Sequence, residues 1–122
     1  MDLQKIHLHC LSFPGVEETY PFGETPVCYK LHGKIFAMMF HAWEQPLITL
    51  KCRRDMSYFY RGIYPDQVVR AYHFSDMHQP YWFSVKMENF PEDELLRMLG
   101  EAYDALRESV IPRNKQKKSD TL

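Results

Sequence analysis

Hydrophobic positions change their spacing along the first half of the chain. Between residues 3 and 13, apolar side chains recur three or four positions apart behind Asp2, which favours a helix capped by that aspartate. In residues 27–31, the side chains of Val27, Tyr29 and Leu31 then fall on one face, which is the period of a strand. Two further apolar runs follow at residues 34–40 and 47–52. The pattern predicts a helix followed by a three-stranded antiparallel meander.

The second half of the chain returns to helical spacing and then to strands. Residues 53–63 have the period of a helix, and residues 68–74 and 81–87 are typical of two strands joined by a polar turn. A last helix is expected to begin at Pro91 and to end before Pro112. The element order α-β-β-β-α-β-β-α predicts an α+β two-layer sandwich, with the helices packed on one face of an antiparallel sheet. The other sheet face is then either solvated or covered by a partner.

Length and composition favour one folded domain. Of the 122 residues, 45% are hydrophobic, so we expect residues 1–112 to form a single domain and residues 113–122 to be a basic disordered tail. No apolar run approaches the ~18 residues of a membrane span, and the N-terminus lacks the apolar core of a signal peptide. We therefore expect a cytoplasmic protein without membrane contact. An odd number of widely spaced cysteines favours reduced thiols in the core, and these are Cys10, Cys28 and Cys52.

The net charge of −1 conceals a positive central segment. Residues 27–86 carry eight basic and four acidic side chains, whereas residues 1–26 and 87–112 are acidic. The pI of about 6.6 is well below the value above ~9 that is usual for nucleic-acid-binding domains, although it allows a local basic patch. Basic residues mixed with aromatic ones can hold phosphates and stack bases, but any sheet with an apolar inner and a solvated outer face also shows this mixture. The candidate DNA contacts are Lys30, Lys34, Lys51, Arg53, Arg54 and Arg70.

The sequence contains no arrangement typical of an active site. It lacks a glycine-rich phosphate loop and the patterns G-x-S-x-G, H-E-x-x-H and C-x-x-C. His73 and His78 flank a turn that contains Asp76, but structural zinc sites use more nitrogen and sulfur ligands at closer spacing. A polar turn is therefore the favoured interpretation of these three residues. We predict a protein that is not an enzyme, with no catalytic residue, no metal and no cofactor.

The stretch FPGVEETYPFGETPVCYKLHGKIFAMM, together with two later segments, resembles the MmcQ/YjbR-like family of small bacterial proteins. The family pattern is L-P-G-x-x-E, then P-F-G, a strand, G-K-x-F-A and a second strand. Its later elements are Y-H-x-N-K-x-H-W and a final helix, so the similarity spans about residues 2–112. The matching positions are Pro14, Gly15, Glu18, Pro21, Phe22, Gly23, Lys34, Phe36, Ala37, Leu50, Lys51, Cys52, Tyr72, His73 and His78.

The resemblance implies an α-β(3)-α-β(2)-α fold of the CyaY-like or double-wing type and a DNA-binding function without catalytic residues. The chain departs from the family pattern where Ser75-Asp76 replaces Asn-Lys, which removes two units of positive charge, and where Gln79-Pro80 replaces Trp. Two hypotheses follow. The first is a non-enzymatic DNA-binding protein that uses a basic sheet face. The second is a protein-interaction or homodimerisation module with no nucleic-acid role.

The stretch FPGVEETYPFG itself is expected to serve the fold. Pro14-Gly15 ends the first helix, because proline disfavours helix at the preceding residue and glycine tolerates positive φ. Tyr20 and Phe22 are expected to plug the edge of the core, and Glu18 to pair with a sheet lysine such as Lys34.

Overall fold

The computed structural model describes residues 1–110, which fold into α-helices packed on one antiparallel sheet. In chain order the elements are α1 (Leu3–Ser12), β1 (Glu17–Thr19), β2 (Val27–Leu31), β3 (Lys34–Ala42), β4 (Gln45–Lys51), α2 (Met56–Ile63), β5 (Val68–Arg70), a 3₁₀ helix (Asp76–Tyr81), β6 (Trp82–Lys86) and α3 (Glu92–Ser109). The predicted tail, and the last two residues of the predicted domain, lie outside the described residues.

The sheet has six strands in the order β1-β2-β3-β4-β6-β5, and every neighbouring pair is antiparallel. The turn between β2 and β3 consists of His32 and Gly33, which both have positive φ and therefore suit a two-residue hairpin. The α+β two-layer fold is confirmed. β1 was not predicted, because it is a short, exposed and polar edge strand without an apolar repeat.

The core lies between the sheet and the helices. α3 packs along β3 and β4, and its buried stripe contains the four residues that the helical period indicates: Leu95, Leu99, Ala102 and Leu106. From the sheet, Tyr29, Phe36, Ile48, Leu50, Phe83 and Val85 complete this layer. Asp2 caps α1 through hydrogen bonds from the amides of Gln4 and Lys5. All three cysteines are buried and free.

Two expectations about the middle of the chain need correction. The strand expected over residues 68–74 ends at Arg70, because the next residues leave the sheet to pass over its outer face. The predicted helix over 53–63 begins at Met56, and two residues of its apolar period, Phe59 and Ile63, are 56% and 49% exposed. No helix within residues 1–110 is long and apolar enough to cross a membrane.

Candidate binding groove on the open sheet face

The sheet face opposite the helices forms most of a groove of about 990 Å³, here named the open-face groove, whose lining also includes Leu106 and Ser109 of α3. Its floor is apolar, because Ile35, Met38 and Phe40 of β3 point away from the helical layer. Met38 is buried, and Ile35 and Phe40 are half-buried. The residues beside the floor, Thr49 and Ser84, are fully buried and share a hydrogen bond of 2.7 Å between their hydroxyl groups. The floor is therefore apolar along β3, and the polar hydroxyl groups next to it are buried and paired with each other.

Two chain segments rise as the walls of the open-face groove. One wall comes from residues 21–26 before β2, where Pro21 and Phe22 line the groove. The other is the aromatic segment, residues 72–74, which follows β5. Its Tyr72 ring lies 5.3 Å from the Phe40 ring, and its Phe74 ring lies 5.0 Å from the Trp82 ring, measured between centroids. The walls convert a flat sheet surface into a concave site of the kind that ligands occupy.

The aromatic segment is held against the sheet by a buried side chain from the 3₁₀ helix. The Gln79 side-chain oxygen accepts a hydrogen bond from the Ala71 amide at 2.7 Å. The Gln79 amide nitrogen donates to the Ala71 carbonyl at 3.2 Å and to the Phe74 carbonyl at 3.0 Å. The Tyr72 amide donates to the Ser84 hydroxyl at 2.9 Å. These bonds replace the strand pairing that the chain gives up after Arg70.

Three of the six candidate DNA contacts line one end of the open-face groove. Lys30 lies near the end of β2, Lys34 is the first residue of β3, and Lys51 is the last residue of β4. All three therefore lie at the same end of the sheet. The Lys51 ammonium lies 5.4 Å from the centroid of the Trp82 ring and 5.9 Å from that of Tyr81. Burial lowers the pKa of Lys51, and the nearby Lys34 charge lowers this pKa further.

The basic end of the groove carries uncompensated positive charge. Within residues 1–110, no aspartate or glutamate lines the groove, and no carboxylate lies within 4.0 Å of the ammonium groups of Lys30, Lys34 or Lys51. The partly apolar surroundings screen these charges less than bulk water does. The groove therefore favours an anionic group at this end.

The three candidate arginines lie outside the groove and pair with acidic residues. Arg53 donates two hydrogen bonds to Glu108 at the end of α3, at 2.6 Å and 3.2 Å. Arg54 lies 3.9 Å from Asp55, and Arg70 lies 3.0 Å from Asp76. The hydrogen bonds from Arg53 lower the pKa of Glu108. Each arginine charge is therefore partly neutralised by its own partner.

The stretch FPGVEETYPFG, residues 13–23, serves the fold only in part as expected. The Pro14 carbonyl accepts a hydrogen bond from the Tyr103 hydroxyl at 2.7 Å, and Gly15 has φ +79°, so the end of α1 is fixed by these residues. Glu18 does not pair with Lys34, because it lies beside Tyr20 and 3.4 Å from the ring of His7.

Tyr20 and Phe22 do not plug the core. Tyr20 is 49% exposed and Phe22 is 68% exposed, and both follow β1, the strand at the edge of the sheet. Phe22 instead stands beside the open-face groove, and Gly23, with φ +117°, turns the chain after it.

The motif histidines His73 and His78 pack against rings of the aromatic segment. The His73 ring stacks on the Tyr72 ring at 4.0 Å, and His78 lies edge-on to Phe74 at 6.2 Å. Asp76, the third member of the turn, pairs with Arg70. In the part of the chain that the structure describes, no three histidine, cysteine, aspartate or glutamate side chains are placed to share a metal ion. Burial raises the pKa of the Cys52 thiol to about 11, which is the behaviour of an inert core cysteine.

Several residues that line the groove could not be recognised as site residues from the sequence. Met38, Phe40 and Trp82 belong to predicted strands, but nothing in the local pattern shows that their outward face is covered. Gln79 entered the sequence analysis only as a departure from the family pattern. One signal was present, since the run at residues 34–40 is apolar on both faces, which indicates a strand buried on both sides.

This geometry defines a class of protein: a two-layer α+β domain with a ligand-sized groove on the outer face of its sheet. A family model described as YjbR matches residues 11–105, and the chain belongs to this family. The resemblance found in the sequence is thereby confirmed. The chain is also 28% identical over 122 residues to the uncharacterized protein YbdF of Escherichia coli O157:H7, covering 96% of this chain and 97% of that protein.

Two solved structures have a similar fold. Deinococcus radiodurans protein DR2400, described as a DUF419-domain protein, has a TM-score of 0.80 at 17% identity, over 95% of this chain and 86% of that chain. A protein from Pseudomonas syringae has a TM-score of 0.63 at 13% identity, over 84% of this chain and 96% of that chain. At these identities the likeness establishes the fold.

Proposed function

We propose that this protein is a non-enzymatic binding protein that takes single-stranded DNA in the open-face groove. The observation that carries the proposal is the placement, beside aromatic rings in one concave site, of three lysines that have no carboxylate partner within residues 1–110. Single-stranded nucleic acid is bound by this combination, because the lysines hold phosphates while bases stack on the rings. The family resemblance supports a DNA ligand, since its matching residues Pro21, Phe22, Lys34, Lys51 and Tyr72 all line the groove.

The shape of the groove favours a single strand over a duplex. Phe22 and the aromatic segment stand up on both sides of an apolar floor, so a rigid duplex would meet the walls before it reached the floor. The bases of a duplex are stacked on one another, whereas the bases of a single strand are free to stack on Phe22 and Trp82. Phosphate contact with three lysines predicts a salt dependence of log affinity with a slope of about −2.

The proposal is tested by fluorescence anisotropy with a labelled oligothymidine and with a duplex of matched length, at several salt concentrations. The double variant Lys30→Gln/Lys34→Gln should weaken binding of the single strand and flatten the salt slope by about 1.4 units, at ~0.7 per phosphate contact. Phe22→Ala should weaken binding by roughly tenfold, since each base stacked on an aromatic side chain contributes ~1–3 kcal/mol. Phe22 is exposed, so its truncation leaves the core intact.

Arg61→Gln is the matched control. Arg61 is also cationic, but it belongs to α2 and contacts Tyr58 rather than the groove. Its removal should leave affinity and salt slope unchanged. Failure to bind the single strand at low salt would refute the proposal, as would equal losses in the lysine double variant and in Arg61→Gln.

A second candidate function is self-association through α2. The observation that favours it is the exposure of Tyr58, Phe59 and Ile63 along this short helix, which leaves an apolar surface open to solvent. Sedimentation equilibrium over a wide concentration range should then show a dimer, and Phe59→Ser/Ile63→Ser should shift it to the monomer. A monomer at every concentration would exclude this candidate.

A further inference from the structure

The open-face groove is asymmetric in charge along its length. Its basic end holds Lys30, Lys34 and Lys51, and from there the floor continues along β3 through Ile35 and Met38 to Phe40. Six residue steps separate Lys34 from Phe40, which corresponds to about 20 Å at ~3.3 Å per residue. The site is therefore charged at one end and apolar over most of its length.

The far end of the groove is closed by the Tyr72 ring, and the Lys86 ammonium lies beyond the groove lining, 5.6 Å from the centroid of the Trp43 ring. The Tyr72 ring packs on Phe40 at 5.3 Å and edge-on against Trp43 at 5.1 Å. Within residues 1–110 no acidic side chain lines any part of the groove, so nothing in it repels an anion or pairs with a second cation. Its volume of about 990 Å³ is at the upper end of the ~300–1,000 Å³ that is usual for small-ligand sites.

The charged end and the apolar floor together match a second ligand chemistry. A nucleotide strand uses the lysines and the rings of Phe22 and Trp82, and its binding does not require the apolar floor at Met38 and Phe40. An unbranched acyl chain with one terminal carboxylate matches both parts, since its tail covers the apolar floor and its single charge lies among the lysines.

We propose that the open-face groove binds one long-chain carboxylate. The carboxylate lies between Lys30, Lys34 and Lys51, and the acyl chain extends along Ile35, Met38 and Phe40 beneath Tyr72. Because this ligand and a DNA strand use the same lysines, the carboxylate displaces the strand. The displacement rests on the proposed function, whereas binding of the carboxylate does not.

Direct binding is measured first, with dodecanoate below its micelle concentration. Trp82 lines the groove, so its fluorescence reports occupancy in a Trp43→Phe background that removes the other tryptophan. Titration calorimetry gives the stoichiometry. We expect one dodecanoate per chain, with dodecan-1-ol and acetate each binding at least tenfold more weakly, because one lacks the charge and the other lacks the tail.

Substitutions then test the contribution of the lysines to binding separately from that of the apolar floor. Lys30→Gln/Lys34→Gln should raise the dissociation constant for dodecanoate roughly tenfold while leaving that for dodecan-1-ol unchanged, and Arg61→Gln should alter neither. Lys34 is exposed and Lys30 half-exposed at the groove rim, so circular dichroism should show an unchanged fold.

The outcomes distinguish the two proposals. Absence of dodecanoate binding, or equal affinity for the alcohol and the carboxylate, overturns this inference whatever the protein does with DNA. Dodecanoate that binds in a protein without DNA affinity refutes the proposed function and leaves the carboxylate site standing. Bound dodecanoate that fails to displace a labelled oligothymidine overturns the shared site.

Discussion

Replacement of Gln79 by leucine removes the side-chain amide that joins the aromatic segment to the 3₁₀ helix. Leucine has nearly the same size, so the change deletes hydrogen bonds with little loss of packing. The Ala71 amide is left without a partner in a residue that is fully buried. The other two acceptors keep a donor, because the Ala71 carbonyl also accepts from the Phe74 amide and the Phe74 carbonyl also accepts from Arg70.

The expected cost follows from these contacts. A buried amide left unpaired costs about 1–3 kcal/mol, and each of the two further bonds contributes about 0.5–1.5 kcal/mol. The additional apolar surface of leucine offsets about 1 kcal/mol. We expect Gln79→Leu to lower the free energy of unfolding by about 3 kcal/mol, equivalent to a fall in Tm of about 10 °C for a domain of this size.

Urea unfolding followed by circular dichroism measures this change, and amide hydrogen exchange at Ala71 and Tyr72 locates it. Both amides should exchange faster in the variant, because the aromatic segment opens more often. The control is Gln4→Leu, the same substitution at an exposed position of α1, which should stay within ~0.5 kcal/mol of the parent. A loss below about 1 kcal/mol with unchanged exchange at Ala71 would refute the role given to Gln79.

Three other predictions follow from the contacts. Asp76→Asn removes an exposed carboxylate close in sequence to Phe74 of the groove wall, so oligothymidine should bind a few-fold more tightly in the anisotropy assay because its phosphates are repelled less; an unchanged constant would show that the strand does not pass this end of the wall. Burial and a hydrogen bond to Glu101 raise the pKa of Tyr60 from 10.0 to about 12. The stability that neutral Tyr60 contributes is therefore complete below pH 10 and lost as the pH rises through about 12. In urea melts, Tyr60→Phe should lose stability less steeply over that range. Burial raises the pKa of all three thiols, so a disulfide reagent at pH 8 should label them only after unfolding: Cys10, Cys28 and Cys52.

The candidate site could be predicted only in outline. Three lysines from the positive central segment meet at the groove, but Arg53, Arg54 and Arg70 were given the same role from the same kind of pattern. They differ in their neighbours in space, since Arg53 meets Glu108, which is 55 residues away. Composition shows how many charges a segment carries. It does not show which of them are already paired.

The order of helices and strands was determined by the sequence itself, because periods of 3.6 and 2 residues and end signals such as Asp2 act between near neighbours. Which surface is available was decided only by the tertiary structure. Phe22 and Tyr72 lie fifty residues apart in the sequence and line the same groove. Phe22 follows the edge strand β1, and Gln79 holds the segment that contains Tyr72. Such contacts depend on where the sheet brings segments together that are far apart in the sequence. A local pattern of hydrophobic residues contains no information about which distant segment will lie next to it.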